Sequence, residues 1–296
     1  MTADDPAAAE RRAAFPDRDR PTAEDRRAVH RQLALGRVLP LGGPRDGTWI
    51  TERAARPALH DAAASVRGVR PGRLRISPAR PDESYDPAVP PPPSALPPGP
   101  LRIDVEFRVS ADPLAAAAEP LPVTAGRLRE VLARSATERL GLTVTEVDLR
   151  VTGLLDAEEP PAPAPPPEEP SAGFPGERKQ SPGNDEEARV AAAVLAVPGV
   201  TRLTGVLGGL GRAIHIGAPG RTAPSGTGTG TSTGTGSGRG SGPALPRRHV
   251  RVEIAVAASR RTLDVARAVR AAAGGALPDH PSVAVLVTAV DRAEKD

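Results

Sequence analysis

Cysteine is absent from this chain, which rules out disulfides and thiolate metal sites at once. Aromatic residues make up only 2% of it. Any core must therefore be assembled from valine, leucine, isoleucine and alanine, and few aromatic anchors remain for a tight interface. Lysine occurs only at Lys179 and Lys295, the other basic residues being arginines. That bias reconciles a formal net charge of +3 with a pI near 10.1, because arginine holds its proton to very high pH. Segregated positive charge, the footprint of nucleic-acid binding, is also missing: Arg102, Asp104, Glu106 and Arg108 alternate in sign in one run, and Arg127, Glu130, Arg134 and Glu138 in another. The longest apolar stretch, Val190 to Val197, is far short of the roughly 20 residues that cross a bilayer. The first twenty residues are charged and lack the apolar region of a secretory signal, so a cytoplasmic protein is expected.

Proline and glycine are abundant, at 36 and 30 residues of 296, and much of the chain is therefore excluded from helix and strand interiors. Between these segments one pattern occurs twice. Val66-Arg67-Gly68-Val69 closes one alanine-rich helical stretch and Val197-Pro198-Gly199-Val200 closes another. The alternating run Leu101 to Phe107 returns as Val250 to Val256, and Val147 to Leu154 returns as Val283 to Val290. An amphipathic helix precedes each of the closing runs. Recurrence of the same landmarks in the same order predicts two copies of one small unit.

The expected fold class is α/β of the α+β type, with two similar small modules, each helix–strand–(low-complexity insertion)–strand–helix–strand. Residues 1–20 are expected to be a disordered charged tail. Module one spans 21–156, with a Pro-rich insertion at 78–100 that should be extended, exposed polyproline II. Residues 157–183 form a proline-rich, acidic linker able to reach about 80 Å, so the modules are not obliged to touch. Module two spans 184–292, with a Gly/Thr/Ser-rich insertion at 218–246. In module one, Thr22 opens a first helix, Trp49 to Val66 reads as a second one that Pro57 either kinks or restarts, and Leu128, Leu132, Ala136 and Leu140 share one helical stripe. The two-residue rhythm breaks between Val144 and Val147, which predicts a bulge or a turn there.

Little in this pattern carries chemistry. His30, His60, His215, His249 and His280 are scattered, with none four residues from another, so no metal-ligand spacing exists. No hydrolase triad is indicated, and no catalytic, cofactor-binding or metal-binding residue is expected. Gly205-Val206-Leu207-Gly208-Gly209-Leu210-Gly211 contains the Gly-x-x-Gly of loops that clamp RNA backbone, but a strand follows it where those loops lead into a helix. It reads first as a structural turn, and RNA binding by this turn with nearby arginines is the alternative. Arg260, Arg261, Arg267 and Arg270 lie on or beside one side of the last helix. They are the candidate interaction surface, for acidic lipid or an acidic partner, against the plainer reading of a solvated face.

The order helix, Val-Pro-Gly-Val, glycine turn, short strand, alternating strand, helix, Val-x-Val-x-Val-Thr strand resembles the alkaline shock protein family of bacterial envelope stress response proteins. Module two carries the resemblance most clearly, through Val197 to Val200, Val250 to Val256 and Val283 to Val290. Module one looks like a degenerate copy, with Arg67 in place of the proline. The resemblance covers about two-thirds of the chain, and the composition suggests an actinobacterial member. It implies a small α/β domain without known catalysis or cofactor. Such proteins are cytoplasmic, often held at the membrane by a small integral-membrane partner, and able to self-associate. A protein partner is accordingly expected and nucleic acid is not.

Overall fold

The computed structural model describes residues 35–110, 119–155, 184–206, 212–217 and 248–292. The expected tail, the helix opened by Thr22, the linker and the Gly/Thr/Ser-rich insertion lie outside the described residues. The protein mixes helices with two sheets. In chain order the elements are β1 (Val38–Pro40), β2 (Thr48–Thr51), α1 (Glu52–Ala64), β3 (Val69–Pro78), β4 (Leu101–Ser110), α2 (Leu121–Arg134), β5 (Val144–Leu155), α3 (Asn184–Leu195), β6 (Val200–Leu203), β7 (Ile214–Gly217), β8 (His249–Ala257), α4 (Thr262–Gly275) and β9 (Ser282–Asp291).

Strands β3, β4 and β5 form a three-stranded sheet in that order. β4 is antiparallel to β3 and parallel to β5, which α2 makes possible by carrying the chain back across the sheet. Leu101, Ile103, Val105, Phe107 and Val109 are buried on one face of β4 while the charged residues between them stay half-exposed, as their alternation predicts. The stripe Leu128, Leu132, Ala136 and Leu140 is buried throughout. Steps of four residues would walk such a stripe about 40° per step around a helix of 3.6 residues per turn. A wider, π-helical turn over Ser135–Leu140 follows α2 and keeps the last two members facing the core, ending at Gly141 with φ +92°. The expected bulge is present, for Leu101 pairs with Val144 but Arg102 with Glu146.

The second sheet runs β1-β2-β9-β8-β6, with β7 pairing β8 beside β6. β8 is antiparallel to β6 and β7 and parallel to β9. β6 and β7 thus lie end to end along β8, separated by residues 204–213; β6 is not among the strands expected from the sequence. Trp49 and Ile50 do not belong to a helix as expected. Thr48–Thr51 is a buried strand pairing parallel to β9, consistent with its β-branched and aromatic composition. The helix begins only at Glu52, where the Thr51 hydroxyl accepts the Ala54 N–H at 3.2 Å. Pro57 sits inside α1 without ending it. Residues 38–51, placed in module one by sequence, therefore hydrogen-bond into the sheet of the second half.

The Pro-rich segment between β3 and β4 also departs from expectation, because it is not an exposed tip. It runs back along β1, with Ala95 bridging Val38, the Leu96 N–H donating to the Val38 carbonyl at 2.8 Å and the Ala88 N–H to Pro44 at 3.0 Å. Val89 is buried there in a cluster with Val38, Trp49, Ala284 and Leu286. The reason lies in β9, which is apolar on both faces: Val283, Val285 and Val287 join the main core, and Ala284 and Leu286 need a cover on the other side. The main core itself is continuous across the two halves. Leu128, Leu132 and Phe107 belong to the same buried cluster as Val190, Val252 and Val269. The Gly42 N–H donates to the Gly141 carbonyl at 3.0 Å, joining the two sheets' connections directly.

Candidate interaction surface

Of the four arginines singled out from the sequence, Arg267 and Arg270 lie on α4 and Arg260 and Arg261 just before it, and Arg261, Arg267 and Arg270 are engaged within the fold. Arg267 makes a two-pronged contact with Asp46, Nε to Oδ1 at 2.8 Å and a terminal nitrogen to Oδ2 at 3.0 Å. Arg270 donates to the carbonyls of Arg45 at 2.8 Å and Val283 at 3.2 Å. Arg261 reaches the Thr137 carbonyl at 3.2 Å and 3.3 Å and Asp264 at 3.2 Å. The stem of Arg260 lies over Gly199. These contacts pin α4 to the β1–β2 loop and to the end of α2. Partial burial pushes the Asp46 carboxyl upward, but hydrogen bonds from Arg267 and the Gly43 amide, with the charges of Arg267 and Arg270, outweigh it and hold the group below its ordinary range. The same pairing, through the Asp46 hydrogen bond first, raises Arg267.

The glycine-bearing turn is described only to Val206 and from Arg212. Its Val206 N–H is already taken, donating to Glu253 Oε2 at 2.7 Å. Glu253 is fully buried, with Arg251 Nε 3.8 Å from its other oxygen. An amide so used is not presented to a phosphate. Nearby, His249 shares a 2.9 Å hydrogen bond with Ser282. Its pKa is lowered by burial first and by the Arg251 charge second, against the hydrogen bond to Ser282. His215 is likewise lowered, by burial and then by Arg251 and Arg212. Among the described residues no group of three or more His, Asp or Glu could hold a metal ion.

The outer face of the three-stranded sheet forms a cleft of about 600 Å³ where Arg73, Arg75, Arg102 and Arg150 meet Asp104 and Asp148. Arg102 lies between the two carboxylates, 3.5 Å from Asp104 and 3.7 Å from Asp148. Opposite charges interleave here as they do in the sequence, making a wet mixed surface of the kind in which each ion pair contributes little.

The edges of the two sheets differ far more than their faces. β1 is covered by the Pro-rich segment at Ala95. β6 and β7 are four residues each and interrupted. β3 carries Pro71, Pro78 and a bulge, and its outward backbone at Ile76 is closed by side chains: the N–H donates to Glu52 Oε1 at 3.1 Å and the carbonyl accepts from Arg37 at 3.0 Å. β5 is less protected: its pairing with β4 skips Thr145 and Thr152 near its two ends, and the Leu154 carbonyl accepts from Arg108 at 3.0 Å, but the run from Glu146 to Val151 between them is regular. The strand is 12 residues long, contains no proline, and pairs on one side with β4 and on the other with no strand among the described residues. No residue of β5 is buried, and Val151 and Leu154 are 41% and 58% exposed. A long strand edge of this kind is a template for pairing with another chain.

The sequence offers β5 as a strand but not as an edge. A signal is nonetheless there: β9, flanked on both sides and covered on both faces, reads Ser-Val-Ala-Val-Leu-Val, whereas β5 alternates as Val-Thr-Glu-Val-Asp-Leu-Arg. No helix among the described residues is long and apolar enough to cross a membrane. Comparison with protein-family models, with curated proteins and with solved structures returns no match to this chain.

Proposed function

We propose that this protein is a non-enzymatic interaction scaffold of the alkaline shock type, built from two copies of one unit and serving the cell envelope, in which β5, whose outer side pairs with no strand among the described residues, is the docking edge for another protein chain. The observation that carries this reading is a contrast between equivalent edges. In each half a helix leads into an antiparallel strand pair and then, through a second helix, into a parallel third strand. The Ser110 N–H donates to Gly68 and the Ala257 N–H to Gly199, both at 2.8 Å, and matching the halves on these two bonds sets Glu106 in the place of Glu253. The neighbouring strand breaks opposite that glutamate in both, as a bulge between Pro71 and Leu74 in one and as the interval between Leu203 and Ile214 in the other. This register is two residues from the one that matches Leu101 with Val250 by sequence.

In the second half the edge of β9 is filled by β2, whereas the corresponding edge of β5 pairs with no strand among the described residues. A shared buried pattern with unlike surfaces supports a packing device over a reaction centre. Anchoring by a small integral-membrane partner remains part of the proposal. Fractionation of native cells tests it: a share of the protein should pellet with membranes and be released when they are dissolved in mild detergent. A wholly soluble pool in cells that contain the natural partners would overturn it.

A further inference from the structure

Resting on that reading of β5 as the docking edge, we infer that its occupant is the β5 of a second copy of this chain, paired antiparallel about a two-fold axis through Leu149. Two identical strands side by side can close a symmetric contact only in antiparallel register, with the same patch used by both copies. Paired residues must also share a face, which leaves registers centred on a residue. Centring on Val147 sets Glu146 against Asp148 twice. Centring on Asp148 or Arg150 sets a charge against its own copy. Centring on Leu149 sets Asp148 against Arg150 twice, Val147 against Val151 twice and Leu149 against Leu149, all within the regular run of β5.

Opposite charges then fall on the solvent face and apolar side chains on the core face, because β5 already directs Val147, Leu149 and Val151 toward the side of Ile103, Val105 and Phe107. The same pairing brings Leu154, 58% exposed, opposite Val144 at each end of the contact. β-Sheet addition of this type draws its affinity from main-chain hydrogen bonds and its register from such cross-strand pairs. The result joins two three-stranded sheets into one of six, whose outer strands are the two copies of β3, interrupted by Pro71, Pro78 and a bulge.

Sedimentation velocity on the full chain, from about 1 to 100 μM, tests the inference. A monomer–dimer equilibrium is expected in this range. Asp148→Arg, on the exposed face, sets a guanidinium opposite Arg150 in both halves of the contact and should weaken the dimer by about tenfold or more. Asp148→Arg combined with Arg150→Asp restores the complementary pairs and should restore the dimer, which separates pairing from a folding defect.

The absence of native cysteine adds a register test. Directly opposed residues in an antiparallel pair have Cα atoms about 4.5–5.5 Å apart, within the span a disulfide accepts. Oxidised Leu149→Cys should therefore cross-link to its own copy, and Val147→Cys, which faces Val151, should not. A chain that stays monomeric at about 100 μM, a dimer indifferent to Asp148→Arg, or equal cross-linking at both positions would overturn the inference. If the chain is monomeric while β5 still cross-links to a different protein in cells, the docking reading stands and self-pairing falls.

Discussion

Gly141→Ala should be among the most damaging single-methyl changes in this protein, and its cost follows from two independent terms. Gly141 ends the π-helical turn at φ +92°, a region in which an L side chain costs about 1–2 kcal/mol. A Cβ there would also overlap Leu263 of α4, meeting its Cβ closer than real Cβ atoms approach one another and its Cδ2 at 2.9 Å. Over-packing of that kind costs about 1–3 kcal/mol, so the expected loss is about 2–5 kcal/mol of a stability that in folded domains is typically about 5–15 kcal/mol. Neither term can relax freely, because the Gly141 carbonyl accepts from Gly42 and its N–H donates to Ala136 at 2.9 Å.

Urea unfolding followed both by Trp49 fluorescence and by far-UV circular dichroism measures the effect. Trp49 is the chain's one tryptophan and reports on the six-stranded sheet, while Gly141 belongs to the other half. If the halves share one core, both signals should move together to a lower midpoint with little change in slope. Gly126→Ala is the control: an added Cβ at Gly126 in α2 meets nothing within 4 Å and should gain about 0.5–1 kcal/mol. A loss below about 0.5 kcal/mol for Gly141→Ala, or two separate transitions for the native chain, would show that the shared core is wrong.

Trp49→Ala should cost about 3–5 kcal/mol and loosen the Pro-rich cover, seen as faster hydrogen exchange at the Leu96 amide that bonds Val38. Glu52→Ala strands the buried Ile76 N–H and should cost about 1–3 kcal/mol, whereas Glu52→Gln, which keeps an acceptor, should cost less in the same urea assay. His249 and His215 both have pKa values lowered by burial from the ordinary 6.5, so the unfolded chain binds their protons first. Stability from keeping them neutral is full above about pH 6.5 and lost as pH falls from there through their folded values. The double variant His215→Gln/His249→Gln should flatten that part of the stability profile. Asp46, held below its ordinary range, gives stability that is lost only under more acid conditions, below about pH 4. Asp46→Asn should flatten that lower limb alone.

Features set by local period are legible in the sequence itself. β4 is marked by five alternating apolar residues, and the stripe Leu128 to Leu140 by its spacing, even though the last turn is π-helical. The bulge after Val144 shows as a broken rhythm. What depends on distant partners is not legible. Thr48–Thr51 is too short to separate strand from helix by pattern, and only β9, far along the chain, makes it a strand. The Pro-rich segment reads as an exposed tip because its apolar residues, Val89 and Ala95, are few. It is needed only because β9 buries Ala284 and Leu286 on a second face. Helical spacing places Arg267 and Arg270 on one helix, but Asp46, the partner of Arg267, lies 221 residues away and cannot be matched from sequence. The open edge of β5 escapes a sequence reading for the same reason, since an edge is defined by which strands do not arrive.

If β5 is where this protein meets another chain, site-specific photo-cross-linking in native cells should capture the encounter. A photoreactive side chain replaces Thr145, exposed on β5, and in a second strain replaces Arg189, exposed on α3. Discrete protein adducts are expected from position 145, with a share of them in the membrane fraction, and none of comparable yield from position 189. Absence of adducts at 145, or equal yields at both positions, would mean that β5 is not the docking edge.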